Sequence, residues 1–296
     1  MTEDDRAPVG PRPVLALVLV AALVLVVAAA APILVGARPA NQIPVAEVDE
    51  GLPSPTAAGW SEVPTVEMPL SSAPSGVPDA GTTSVRRAHV QAATAGDRLF
   101  LRLSWPDATA DRNASDPREF ADAAAVQVPV NETVRPAIAM GSTRNLVNVW
   151  FWTPPLGTQE LLAGGPGTTT AFPEAAVDVA ADRVDGVAGG EAGWATVYER
   201  ALQPGGANRT TISGQHDVDV AFAVWNGSNM ERSGRKAVSD WYHMPFGPGP
   251  QGPPYATLLW AIAGIAVVAV LAVTLYGIRH ARSDGGDLLG GGGGGS

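Results

Sequence analysis

The stretch NLVNVWFW, residues 145–152, decides how this chain is read. Two valines and three aromatics crowd into its last six positions. Those residue types suit a pleated, half-buried strand. The same character recurs on both sides. SVRRAHVQAAT (84–94) and RLFLRLSW (98–105) flank a short AGD connection and read as a hairpin. AAAVQVPV (123–130), GWATVYERAL (193–202) and VDVAFAVWNG (218–227) read as further strands. Another is expected at 236–242, after the turn GSNMERSGR. Residues 178–185 fit either a strand or a loose turn. Between residues 36 and 254 no segment carries a helical stripe over three turns. Many short strands punctuated by Gly and Pro point to a mainly β domain, a sandwich or a barrel, over 57–245.

Two long apolar segments flank this region. Residues 14–35 hold 22 positions without a charge, and 255–278 form a second run of that kind. About 20 apolar residues of helix suffice to cross a bilayer, so both read as transmembrane helices. The first could instead be a cleaved signal, although signal cores are usually shorter. Arg6 and Arg12 precede the first segment; Arg279 and Arg282 follow the second. The positive-inside rule then places the tails 1–13 and 279–296 in the cytoplasm and the β domain outside it, at the cell membrane. Residues 36–56 and 246–254, rich in Pro, read as linkers.

Composition narrows the function classes. The formal net charge is −10. No basic stripe is present, which argues against nucleic acid as a partner. High acidity with one lysine suits a salt-adapted, halophilic proteome. The chain has no cysteine. Disulfides, thiolate metal sites, iron–sulfur clusters and haem attached through C-x-x-C-H are therefore excluded. None of the histidines of the β region sits in an H-E-x-x-H pattern. GGPGTTT (164–170) lacks a following lysine and reads as a loop. Sequons at Asn113, Asn131, Asn208 and Asn226 arise too easily by chance to locate the domain.

Lys236 is the only lysine; the other 18 basic residues are arginine. It could be a plain surface residue. It could also be retained because an amine can lose its proton when buried, whereas a guanidinium cannot. A neutral amine can donate to a metal.

The neighbourhood favours the second reading. Met140-Gly141 precedes Asn148-x-Trp150-x-Trp152; later come Ala221–Trp225, Gly227-Ser228-Asn229 and Arg235–Ser239. In order and spacing this resembles the haem-b-binding gamma subunits of ethylbenzene dehydrogenase and related molybdenum enzymes of the dimethyl sulfoxide reductase group. The resemblance covers about 60–244 and is thin between about 156 and 193. It implies an immunoglobulin-like or DOMON-like β-sandwich outside the membrane. It also implies haem b, held between Met140 and Lys236 as metal ligands. Trp150, Trp152 and Trp225 are candidates for the wall of the cofactor pocket, with core packing as their alternative. Met68, Met230 and Met244 are rival thioethers, and His243 is a rival ligand.

The chain is then an electron-transfer subunit and not itself catalytic. The partners implied are a molybdopterin catalytic subunit, an iron–sulfur subunit and a membrane quinol-oxidising cytochrome. The competing expectation is an extracytoplasmic sandwich that binds carbohydrate or protein without a cofactor.

Overall fold

Alternation along residues 145–152 becomes a strand whose two faces meet different surroundings. The computed structural model describes residues 41–131, 133–187, 190–246 and 264. One sheet runs β1 (Val45–Glu47), β4 (Arg87–Ala95), β5 (Arg98–Pro106), β11 (Glu191–Ala201), β10 (Val177–Val187), with β2 (Val66–Pro69) also on β4. The other runs β3 (Ser71–Ser72), β13 (Ala237–Val238), β12 (Val218–Trp225), β6 (Ala123–Pro129), β7 (Val147–Thr153), β8 (Gly157–Ala163), β9 (Thr169–Ala171). β14 (Tyr242–Met244) also pairs with β12. The short β1 lies parallel to β4; the long strands pair antiparallel.

Side chains alternate across a strand, so each sheet has an inner and an outer set. Leu99, Leu101, Leu103 and Trp105 of β5 meet Val126, Trp150, Phe222 and Val224 of the second sheet in one buried core. This is the two-sheet sandwich the sequence suggests. Leu52, Trp60 and Val63 cover Ala93, Phe100 and Val197 on the first sheet's outer face. On the second sheet, Ala123, Ala125, Val147, Val149 and Trp225 form an apolar outer cluster, and this face carries the site.

Several expectations need correction. Part of the stretch 36–56 is not a linker. Val45–Glu47 pairs with β4, and Ile43 is fully buried in the core. Pro and acids there hide a strand that needs only a few extended residues. The strand expected at 236–242 is two pieces, β13 and β14, separated by residues 239–241. The open reading of 178–185 resolves as part of the long β10. β8 and β9 went unforeseen, because GTQELLA and TTA mix polar and apolar residues without the usual Val and aromatic signal. The segments 14–35 and 255–278 lie outside the described residues, Gly264 apart. Among the described residues, no helix is long and apolar enough to cross a membrane.

Candidate functional site

The outer face of the second sheet is built from small residues beside large ones. Ala223 of β12 lies opposite Ala125 of β6, which lies opposite Phe151 of β7. One row away, Ala221, Gln127, Val149 and Leu161 follow one another across four strands. The alanines leave a hollow, with Trp225 and Phe151 packed edge to face beside it at 5.6 Å. Loop residues 73–75, 138–140, 166–167 and 233–234, with Lys236, close over the hollow. The resulting slot has a volume of about 390 Å³. Cofactor sites run from about 300 to 1,000 Å³, so the slot is of usable size.

Met140 reaches it from an unusual backbone. Its φ is 62°, in the left-handed region that side chains other than Gly rarely adopt. Met140 N–H donates to the Ile138 carbonyl at 2.9 Å, and the Met140 carbonyl accepts from Gly165 N–H at 2.9 Å. Gly141 follows at φ 73°, and a Cβ there would stand 2.5 Å from the Asn145 carbonyl oxygen. The Met-Gly element is thus a turn that only glycine can complete. Strained backbone of this kind concentrates at functional sites.

Lys236 arrives from the other side, just before β13. The preceding Gly227–Asn229 turn is held by buried carboxylates. Asp122 accepts from Gly227 N–H at 2.9 Å and from the Trp194 indole at 2.8 Å. Glu231 accepts from Ser84 N–H at 2.7 Å and from Asn226 N–H at 3.2 Å. The Lys236 carbonyl accepts from Ala73 N–H at 2.9 Å. Its Nζ stands 5.1 Å from the centre of the Trp225 ring and 4.0 Å from the Met140 Sδ. Among the described residues it forms no ion pair with a carboxylate. Burial pulls the Lys236 amine below its ordinary value. Desolvation disfavours the ammonium, and nothing opposite in charge restores it.

The structure therefore brings Met140, Lys236 and Trp225 to one slot. It does not bring Trp150 or Trp152 there. Both occupy the alternate positions of β7 and face the sandwich core. Trp150 donates to Asn148 Oδ1 at 3.0 Å and lies under the Arg200 guanidinium, 4.7 Å from ring centre. Trp152 packs against Trp194 at 5.2 Å. A sheet has two faces, and Val149 and Phe151 hold the one that meets the slot. Met68 and Met244 are buried in the core, Met230 is 51% exposed, and His243 lies away from the slot. Sequence reasoning missed Gln127, Val149, Phe151 and Leu161. The signal was present: once Ala221, Ala223 and Trp225 share a face, their register partners share it too.

A larger cavity, about 530 Å³, lies on the outer face of the first sheet. It is a weaker candidate despite its size. Its Gln91 is committed to the Trp60 and Val63 carbonyls and to Arg102, and its one imidazole, His89, stands 3.5 Å from Glu67. Those contacts tie down residues 55–63.

Fold and site together define a class: a β-sandwich whose outer face carries a largely apolar slot in which a thioether and a part-buried amine meet. Comparison with known proteins narrows the class. The protein-family model described as Ethylbenzene dehydrogenase matches residues 57–174. A Haloferax mediterranei protein provisionally named respiratory nitrate reductase heme subunit ORF7 is 54% identical over 268 residues, 90% of this chain and 95% of that one. The chlorate reductase subunit gamma of Ideonella dechloratans is 37% identical, over 65% of this chain and 79% of its own. The dimethylsulfide dehydrogenase subunit gamma of Rhodovulum sulfidophilum is 27% identical, over 68% and 79%. The chain belongs to the ethylbenzene dehydrogenase family of haem gamma subunits. Among solved structures, a family 9 carbohydrate binding module from Caldicellulosiruptor kristjanssonii in complex with glucose superposes at a TM-score of 0.41. It shares 10% identity and covers 72% of this chain and 100% of its own. A score that low does not bear on function.

Proposed function

We propose that the chain is a haem b-binding electron-transfer subunit whose iron ligands are Met140 and Lys236. The observation that carries this reading is the 4.0 Å between sulfur and nitrogen across the slot. First-row metals take sulfur at about 2.3 Å and nitrogen at about 2.0–2.1 Å, as zinc does, so two donors this close would both reach one metal ion. A thioether is soft and neutral. Burial lowers the Lys236 amine's hold on its proton, and without that proton the amine is neutral too; an arginine in its place could not be.

When bound, the haem supplies reversible one-electron exchange, at a potential that methionine ligation raises. The chain's own residues do the rest. Met140 and Lys236 would hold the haem iron through sulfur and nitrogen, which suits electron transfer rather than substrate binding. Trp225 and Phe151 wall the slot, and the Ala125, Ala221 and Ala223 floor admits a flat group.

The named relatives support a wider setting, in which the chain passes electrons to or from a molybdopterin oxidoreductase of the dimethyl sulfoxide and nitrate reductase group. An iron–sulfur subunit and a quinol-oxidising membrane cytochrome are the expected partners. The segments 14–35 and 255–278 anchor the sandwich at the outer face of the cell membrane. The test is a haem titration of the purified full chain, followed by a reduced-minus-oxidised visible spectrum. One sharp b-type band at one haem per chain is expected. No band after haem supplementation would favour a sandwich that binds carbohydrate or protein without a cofactor.

A further inference from the structure

The slot has an almost wholly apolar floor. Ala125, Val149, Phe151, Leu161, Ala221 and Ala223 contribute carbon only. Gln127 is the exception. It sits mid-strand on β6 between Ala221 and Val149 and is 9% exposed. A primary amide on a floor of hydrocarbon is costly unless its hydrogen bonds are made.

Its Nε2 donates to the Ile138 carbonyl at 3.2 Å. That same carbonyl accepts from Met140 N–H at 2.9 Å. Ile138 O is thus shared by the sheet beneath and by the residue that supplies the thioether. The remaining ties of the turn run elsewhere: Gly141 N–H to the Ala137 carbonyl at 2.9 Å, and Gly165 N–H to the Met140 carbonyl at 2.9 Å. Met140 also packs on the Ala125 and Val149 cluster; among the described residues' hydrogen bonds around it, the Gln127 bond is the one that joins the turn to the floor of the slot.

We infer that Gln127 is a positioning residue: through the Ile138 carbonyl it sets the height of the Met140 sulfur above the sheet, and hence the sulfur's hold on the metal opposite Lys236. This rests on the reading of Met140 and Lys236 as haem ligands. A left-handed residue such as Met140 relaxes readily when its turn is loosened, because the strain is released on leaving. The amide donor opposes that relaxation. Leucine at 127 would fill the same volume and keep β6 apolar, while removing the donor.

The experiment uses the full chain loaded with haem b, comparing wild type, Gln127→Leu, Gln127→Asn and Met140→Ala. Three readouts are taken: the near-infrared band of methionine bound to ferric haem, the midpoint potential, and thermal stability. Met140→Ala supplies the sulfur-off reference. The inference expects Gln127→Leu to stay folded, to raise the sulfur-off fraction about three- to tenfold, the factor that one hydrogen bond represents, and to shift the potential downward. Wild-type band and potential in a folded Gln127→Leu overturn it, because a merely structural role lowers stability alone. If Gln127→Leu does not fold, Gln127→Asn decides, since it keeps an amide but withdraws it by one methylene. Loss of the band supports the inference; retention overturns it. A Met140→Ala protein with the wild-type band sinks the ligand assignment instead, so the two failures are distinct.

Discussion

Gly141→Ala should loosen the site by an amount that the backbone dictates. At φ 73° an added Cβ meets the Asn145 carbonyl oxygen at 2.5 Å and the Val147 Cγ1 at 3.2 Å. The left-handed backbone costs a residue with a Cβ about 1–2 kcal/mol. The carbonyl must also retreat, and it now accepts from Ser142 N–H at 2.9 Å. Weakening that bond adds about 0.5–1.5 kcal/mol. A total of about 1.5–3.5 kcal/mol follows. Gly96→Ala is the control: it has φ 57° with nothing within 4 Å of its Cβ, in the hairpin between β4 and β5. It should cost only the conformational part, about 1–2 kcal/mol. Urea unfolding of both variants gives the stabilities, and haem titration gives the affinities. Gly141→Ala should lose more stability than Gly96→Ala and bind haem at least tenfold more weakly, while Gly96→Ala binds as wild type does. Equal losses of stability, with haem affinity untouched in both, would refute the view that this turn places Met140.

Further predictions concern the carboxylates and the tryptophans. Burial, with the neighbouring Asp122, pushes the Asp107 carboxyl up from 3.8 to about 6. The folded chain therefore holds that proton more tightly than the unfolded chain. The contribution of Asp107 to stability is fully present below pH 3.8 and is lost as pH rises through about 6. Asp107→Asn should flatten that fall in thermal melts taken across the window; an unchanged slope would assign it to other groups. Trp150→Phe leaves the Asn148 Oδ1 without its donor in the core, costing about 1–3 kcal/mol, and should leave the haem spectrum alone. Trp225→Leu should do the reverse, altering haem affinity several-fold with a smaller loss of stability. A haem spectrum that responds to Trp150→Phe as strongly as to Trp225→Leu would contradict the assignment of the two faces of the second sheet.

The strands that carry Val and aromatic residues were legible in the sequence, because packing on a pleated surface selects those residues along 98–105, 145–152 and 218–227. β8 and β9 were not, since Glu160 is buried by pairing with Arg209 at 2.9 Å, a partner that no local pattern announces. The lone amine and the Met-Gly element could be picked out as candidates from chemistry and resemblance. Their meeting at 4.0 Å depends on loops whose course is fixed by Asp122, Glu231 and Gly141, and sequence spacing does not show that. In the sequence Trp150 and Trp152 fit either the pocket wall or the core, because an aromatic run looks alike from both sides. The face is decided by register: Ala125 lies opposite Phe151, while Val126 of the core lies opposite Trp150.

Haem binding at this site requires a nitrogen at residue 236 that can shed its proton. Lys236→Arg keeps a long cationic side chain and removes that ability. The direct test is the low-temperature electron paramagnetic resonance spectrum of the ferric, haem-loaded variant beside wild type. A low-spin signal in wild type that turns high-spin in Lys236→Arg is the predicted result. An unchanged low-spin signal in the variant would show that the ligand opposite Met140 lies elsewhere.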